Sequence, residues 1–416
     1  MSELVLTLRQ PAQIGDRARD DFVLSTMDRI PGSVVRGAFA AVWLARNGIS
    51  EPGTTERAEF LRLFEGGVRF GALMPDGAES QPLSVVGHKY PVREDCLDAE
   101  FDRAAGPQPS SCPQCESPLE PVRGLRGEKP RTGRRTSVSI DESGIARDGV
   151  LFTRESLSQG QVFRGTLATG DPELLAILDT LGPVRVGGRR TTHGLADVAI
   201  RDVPPPAPER IDDHHLVVRL RSPGIFTDDR GRPSRDPNQA ELEDLLGAGA
   251  KVADRWTRWH QAGGWHVASG LPKPAELAVA AGSTYVIYSE RPVEPSQLAH
   301  LAQRGLGLRR HEGFGDLAPP PALEWGKRAR DDEGRRLTRL LDSVVALRGA
   351  GLRFPDVWRL LGPALLAHAD GSQRATTYLA GVARQPPDTA IGAALRAFLA
   401  LSPADTVYVA GELTRS

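Results

Sequence analysis

The sequence predicts an α+β chain of two tandem ferredoxin-like, RRM-like units with glycine-rich loops, and three observations point there. A loop occurs twice: VGGRRTTHGLADV (Val186–Val198) and GLGLRRHEGFGDL (Gly305–Leu317) each set paired arginines beside glycines, then a polar spacer, a further glycine and an aspartate. Each loop follows the same elements, since the strand-like GQVFRGTLAT precedes the helical ELLAILDTLG, and STYVIYSE precedes SQLAHLAQRG. Finally, LVLTLRQP (Leu4–Pro11) is nearly restated as LVVRLRSP (Leu216–Pro223). A strand, a helix, paired strands, a second helix and a last strand make the β-α-β-β-α-β unit.

Along the chain, Leu4, Leu6 and Leu8 alternate with Val5 and Thr7, as Leu216, Val218 and Leu220 alternate with Arg219, so both openings predict strands buried on one face. RIPGSVVRGAFAAVWLARNG then predicts a helix capped by Ser33, with Val34, Val35, Ala38, Phe39, Val42 and Trp43 on its apolar face and a stop at Asn47-Gly48. The first unit, 1–201, is lengthened by a Gly-, Pro- and Arg-rich insertion at about 76–150. A proline linker, 202–210 (DVPPPAPER), leads to the second unit at 211–323, which ends near APPPALEWG. From 324 to 416 the spacing turns helical in RRLTRLLDSVVALRG, FPDVWRLLGPALLAH, RATTYLAGVAR and TAIGAALRAFLAL, predicting a helical extension.

With 416 residues, 40% hydrophobic and 25% charged, the chain can bury two cores. No apolar stretch is long enough to span a bilayer, the N-terminus does not read as a signal peptide, and three cysteines suit a reducing compartment, so a cytoplasmic protein is expected. A net charge of −1 argues against wholesale coating of a polyanion and leaves room for a local basic groove.

The paired arginines carry the functional signal. The loops lack the Lys-Ser/Thr of a phosphate-binding P-loop and the spacing of a dinucleotide site, which excludes the usual mononucleotide readings. Guanidinium groups beside flexible glycines suit RNA phosphates, which glycine-rich turns also bind through backbone amides. Arg36 stands where a capping box would place Glu or Gln, so its charge opposes the helix dipole; a phosphate at the helix N-terminus, approached closely at Gly32 and Gly37, would offset it, and a solvated arginine is the alternative. Phe314 either stacks a base or anchors its loop in the core, where Leu195 is read as its copy. Gly188, Gly194, Gly313 and Gly315 permit the turns, and Asp197 and Asp316 are read as structural.

SCPQC gives Cys112 and Cys115 knuckle spacing, with Cys96 upstream and His88 as a fourth candidate ligand. A structural zinc is expected; a redox pair or two surface thiols are the alternatives.

IPGSVVRGAF, both arginine loops and the tandem halves together resemble the RAMP superfamily of CRISPR-associated proteins over about residues 1–320. The two-domain form with a Cys-x-x-Cys insertion is most similar to the type III-D subunit that caps the effector complex at the crRNA 5′ handle. The resemblance implies a crRNA-binding scaffold beside the large signalling subunit and the first backbone subunit, meeting target RNA indirectly. It implies RNA contacts at Gly32, Ser33, Arg36, Gly188, Arg189, Arg190, His193, Arg309, Arg310, His311, Gly313, Phe314 and Gly315, and no catalytic residue. The runner-up is a crRNA-processing endoribonuclease using His193 or His311 as a general base, against which neither loop offers a partner acid. A protein-only adaptor, with the arginines in salt bridges, is the third reading.

Overall fold

The computed structural model describes residues 1–15, 23–48, 51–89, 100–105, 110–112, 115–140, 142–189, 191–204, 208–266, 270–321 and 356–382, with 384, 396, 399 and 406. Two compact units result, one of Met1–Ser84 with Arg123–Pro320 and another of Val85–Val122 with Pro321–Ser416. The boundary expected at 202–210 therefore lies inside a single unit.

Two antiparallel sheets of that first unit carry its two main cores. In one, Ser2–Leu8 lies between Leu195–Asp202 and Val162–Ala168, and Arg69–Phe70 pairs beyond the latter. Counted along the chain, the order is last, first, third, second, which fits a ferredoxin-like fold. Leu4, Leu6 and Leu8 point into a core shared with Phe39, Trp43, Phe64, Phe70 and Phe163. The helices supplying its other faces are Gly32–Asn47, Thr55–Phe64 and Pro172–Thr180. In the other sheet His215–Arg219 pairs with Thr284–Tyr288, which pairs with Lys251–Trp256, and Leu220 bridges to Leu317 on the far edge. Leu216, Val218 and Leu220 share a core with Tyr285, Ile287, Leu298 and Leu301, under the helices Gln239–Leu246 and Pro295–Arg304.

Two sequence expectations change here. Arg219, expected on an open face, is buried and paired with buried Glu209 at 2.6 Å. That pair exists because Glu209–Arg210, read as linker, forms a short strand against Leu216–Val217. The expected insertion also divides: Val85–Val122 belongs to the other unit, whereas Thr132–Ile140 and Ala146–Leu157 form a long antiparallel hairpin in the first unit.

In the second unit, Val85–His88 pairs with Phe101–Asp102 and Leu119–Pro121. Two of the expected C-terminal helices are Asp356–Ala369 and Gln373–Val382; the runs at 335–349 and 389–401 lie outside the described residues or touch them only at isolated positions. Among the described residues no helix is long and apolar enough to cross a membrane.

Candidate nucleic-acid interface

The two arginine loops are held by equivalent backbone hydrogen bonds. Val186 N donates to Gly194 O at 2.9 Å, and Leu306 N to Gly315 O at 3.0 Å. Gly194 N donates to Pro11 O and Gly315 N to Pro223 O, at 2.9 and 2.8 Å. Gly188 N reaches Gln13 O, and Leu308 N reaches Ile225 O, both at 2.9 Å. Each loop is thus laced to the segment after its opening strand, which is why LRQP and LRSP recur. A side chain at Gly194 or Gly315 would collide with the carbonyl of Val186 or Leu306, and both glycines have positive φ, 77° and 64°.

Arg189 and Arg309 occupy the same backbone state, φ 51° and 53°, which non-glycine residues rarely adopt. After them the copies differ. Arg9 N donates to Leu195 O and Arg221 N to Asp316 O, each at 2.8 Å, so Leu195 corresponds to Asp316 and the second loop is one residue longer. Leu195 is therefore not the counterpart of Phe314, nor Asp197 that of Asp316, as the sequence comparison had them. Phe314 packs against Ile225, Ala262 and Ala278, with the Arg309 guanidinium 5.0 Å from its ring centroid.

The surroundings differ more. Arg309 bonds Glu276 at 2.6 Å and Glu312 at 2.9 Å, Arg310 bonds Glu241 at 3.1 Å, and Lys273 joins Glu312 at 2.7 Å. The second loop's cations are thus engaged by carboxylates of this chain. Asp316 is buried, its carboxylate accepts from Arg69 and from Thr166 Oγ1 at 3.1 Å, and its backbone N donates to Ser222 Oγ at 2.9 Å. Asp197 instead pairs with Arg9 at 2.5 Å in an exposed position.

Arg36 also has an internal partner. It bonds Phe64 O at 2.5 Å and Glu65, so Glu65 supplies the anion that the sequence left open. The helix begins at Gly32 rather than Ser33, because the Pro31 carbonyl accepts from Val34 N and Val35 N, and no side chain caps it. The second loop's backbone packs against the helix's first residue: a Cβ on Gly32 would meet Phe70 O and Gly313 Cα. This juxtaposition of the first helix and the second loop had no sequence signal.

His311 lies 3.9 Å from Glu65 and 3.8 Å from Glu312, and burial, followed by the Arg36 charge, lowers its pKa. His193 is held at Nδ1 by Thr192 Oγ1 at 2.8 Å. Arg190 lies outside the described residues. Arg189 is exposed and, among the described residues, has no carboxylate partner. Beside it runs the hairpin, whose Arg135 and Arg154 join Arg189 and His193 around a small cleft. Sequence reading missed the hairpin arginines, although TGRRTSVS repeats the Gly-Arg-Arg of the first loop.

In the second unit, ligand atoms of His88, Cys112 and Cys115 lie within 4.8 Å of one another, and His88 Nε2 is 3.3 Å from Cys115 Sγ. Cys112 N donates to Ser117 O and Glu116 N to Cys112 O, closing a turn in which Glu116 has φ 58°. Two thiolates and an imidazole at this separation suit the donor set of zinc. Cys96 lies outside the described residues.

The chain thus combines a ferredoxin-like strand order with duplicated arginine loops. Residues 114–318, just under half of the chain, match the family model described as CRISPR-associated protein (Cas_Cmr3). No curated protein matches. Similar solved structures include a chain of a type III-B Cmr-beta complex bound to cognate target RNA and AMPPnP, at 11% identity, covering 68% of this chain and 86% of that one, with a TM-score of 0.39. A chain of the Csm3-Csm4 subcomplex from the type III-A interference complex aligns at 12% identity, 71% and 94% coverage, TM-score 0.35. A Cas6-related protein from Pyrococcus furiosus aligns at 8% identity, 77% and 98% coverage, TM-score 0.33.

Proposed function

We propose that this chain is a non-catalytic crRNA-binding subunit of a cytoplasmic type III CRISPR-Cas effector complex. It holds the 5′ handle of the crRNA through tandem RAMP units and contacts the large signalling subunit and the first backbone subunit. The observation that carries this reading is the family match, which spans both arginine loops, taken with the backbone bonds the loops share. The III-D subtype rests on the motif resemblance and its Cys-x-x-Cys insertion. Within the site, Arg189 is available to a phosphate, whereas Arg309 and Arg310 are engaged with Glu276, Glu312 and Glu241 and hold the second loop in shape.

The surroundings of the loop histidines support the non-catalytic reading. A nuclease using a 2′-hydroxyl needs a base and an acid converging on one phosphate. His311 is drawn toward two carboxylates of this chain, and His193 bonds its neighbour Thr192.

Full chain expressed with the other effector subunits is expected to retain RNA, and the isolated full chain to bind single-stranded RNA with a salt-dependent affinity, each phosphate contact adding about 0.7 to the slope. Absence of RNA from the complex, with no salt-dependent binding by the chain, would overturn the proposal.

The same reading makes the cysteine cluster a structural zinc site, since thiolate-rich closed sites leave no open position for a substrate. Elemental analysis of the purified chain is expected to find about one zinc per chain, lost in Cys112→Ser and Cys115→Ser. A stable, zinc-free wild-type chain would sink this assignment.

A further inference from the structure

The two arginine loops share their hydrogen bonds but not their charges. Around the second loop, three glutamates face Arg309, Arg310 and Lys273. Facing the first loop is the hairpin of Thr132–Ile140 and Ala146–Leu157, whose register sets Arg135 directly opposite Arg154. Residues directly opposite in an antiparallel pair share a face, and like charges there destabilise the ladder. The hairpin also segregates its acid: Glu155, one residue along, falls on the other face and pairs with Arg134 at 3.4 Å.

Three guanidinium-bearing side chains, Arg135, Arg154 and Arg189, therefore line one cleft with His193, Gln13 and two hairpin serines, and no lining residue is acidic. Among the described residues, neither Arg135 nor Arg189 has a carboxylate partner. Burial and the Arg189 charge together lower the Arg154 pKa, so these groups feel one another.

We infer that this cleft seats a backbone phosphate of single-stranded RNA, with Arg189 donating from the loop and Arg135 and Arg154 from the hairpin. The inference rests on the RNA-binding reading above and assigns the grip to the first loop, making the hairpin half of the site. A phosphate matches the forked donors of arginine and the serine hydroxyls, and would supply the anion that Arg135 and Arg189 lack among the described residues. At the second loop Glu276, Glu312 and Glu241 already pair with Arg309 and Arg310.

The test uses the full chain and a fluorescein-labelled oligouridine of about eight nucleotides, within the span that single-strand binders cover. Anisotropy is titrated at several salt concentrations, with folding of each variant checked by circular dichroism. Arg135→Ala and Arg189→Ala are each expected to weaken binding about tenfold, as loss of a charge-assisted hydrogen bond does. Each should also lower the salt slope by about 0.7, with Arg135→Lys keeping most of the slope. Arg134→Ala, on the opposite face of the hairpin, is expected to match wild type. If wild type binds with a clear salt slope and both alanine variants keep it, the phosphate seat is wrong and the RNA-binding reading stands. If wild type shows no binding, that reading fails and the seat with it.

Discussion

Asp316→Ala is expected to destabilise the first unit by about 3–5 kcal/mol, the usual consequence of removing one partner of a buried ion pair. Asp316 and Arg69 are 1% and 6% exposed, and Arg221 stands 3.9 Å away with its own partner in Glu79. Without the carboxylate, Arg69 keeps its bonds to the carbonyls of Ala302 and Gln303 but loses the anion that balances its charge, and Thr166 Oγ1 loses its acceptor. Asp316 also sits at the end of the second arginine loop, so the loop's exit is tied to the Arg69 strand of the first sheet. Urea denaturation followed by tryptophan fluorescence measures the effect, and a midpoint close to wild type would mean that this pair does not anchor the loop.

The second large effect is expected at Glu312. Burial works against its charge, but hydrogen bonds from Arg309 and Lys273 outweigh it and hold the carboxyl at about 2, against an ordinary value of 4.5. A depressed carboxyl favours the folded state fully above its unfolded pKa, and that contribution fades as pH falls from about 4.5 towards about 2. Its size is roughly 3 kcal/mol by proton linkage, as an order of magnitude. Glu312→Gln should therefore lower stability at neutral pH by a comparable amount and flatten the acid limb of the stability curve, while differing little from wild type near pH 2. Thermal unfolding across that range decides the matter; parallel wild-type and variant curves would show that Glu312 does not hold Arg309 and Lys273 together.

Both predictions concern the second loop, where reading residues and reading structure part company. Paired arginines beside glycines gave the same expectation for both loops, since a linear motif records what can turn and what is charged. Whether a guanidinium meets solvent or a carboxylate depends on Glu241 and Glu276, which lie far from Arg310 and Arg309 in sequence. The same applies to Arg36, whose partner Glu65 arrives from the end of the next helix. His88, by contrast, was legible as a candidate ligand because a Cys-x-x-Cys turn narrows what an upstream histidine can reach, and the structure brings the three together.

What the sequence determined by itself is what short-range chemistry dictates: the alternating strands at Leu4–Leu8 and Leu216–Leu220, the helix that stops at Gly48, the glycine turns and their repetition. These follow from side-chain periodicity and backbone sterics, which neighbouring residues impose on one another. Only the tertiary structure decided the one-residue offset that aligns Leu195 with Asp316, the burial of Arg219 against Glu209, and the placing of Arg135 opposite Arg154 beside Arg189. Those are long-range pairings, and charge acts through space: an arginine's role depends on which distant strand or helix brings an acid to it, and which brings another arginine.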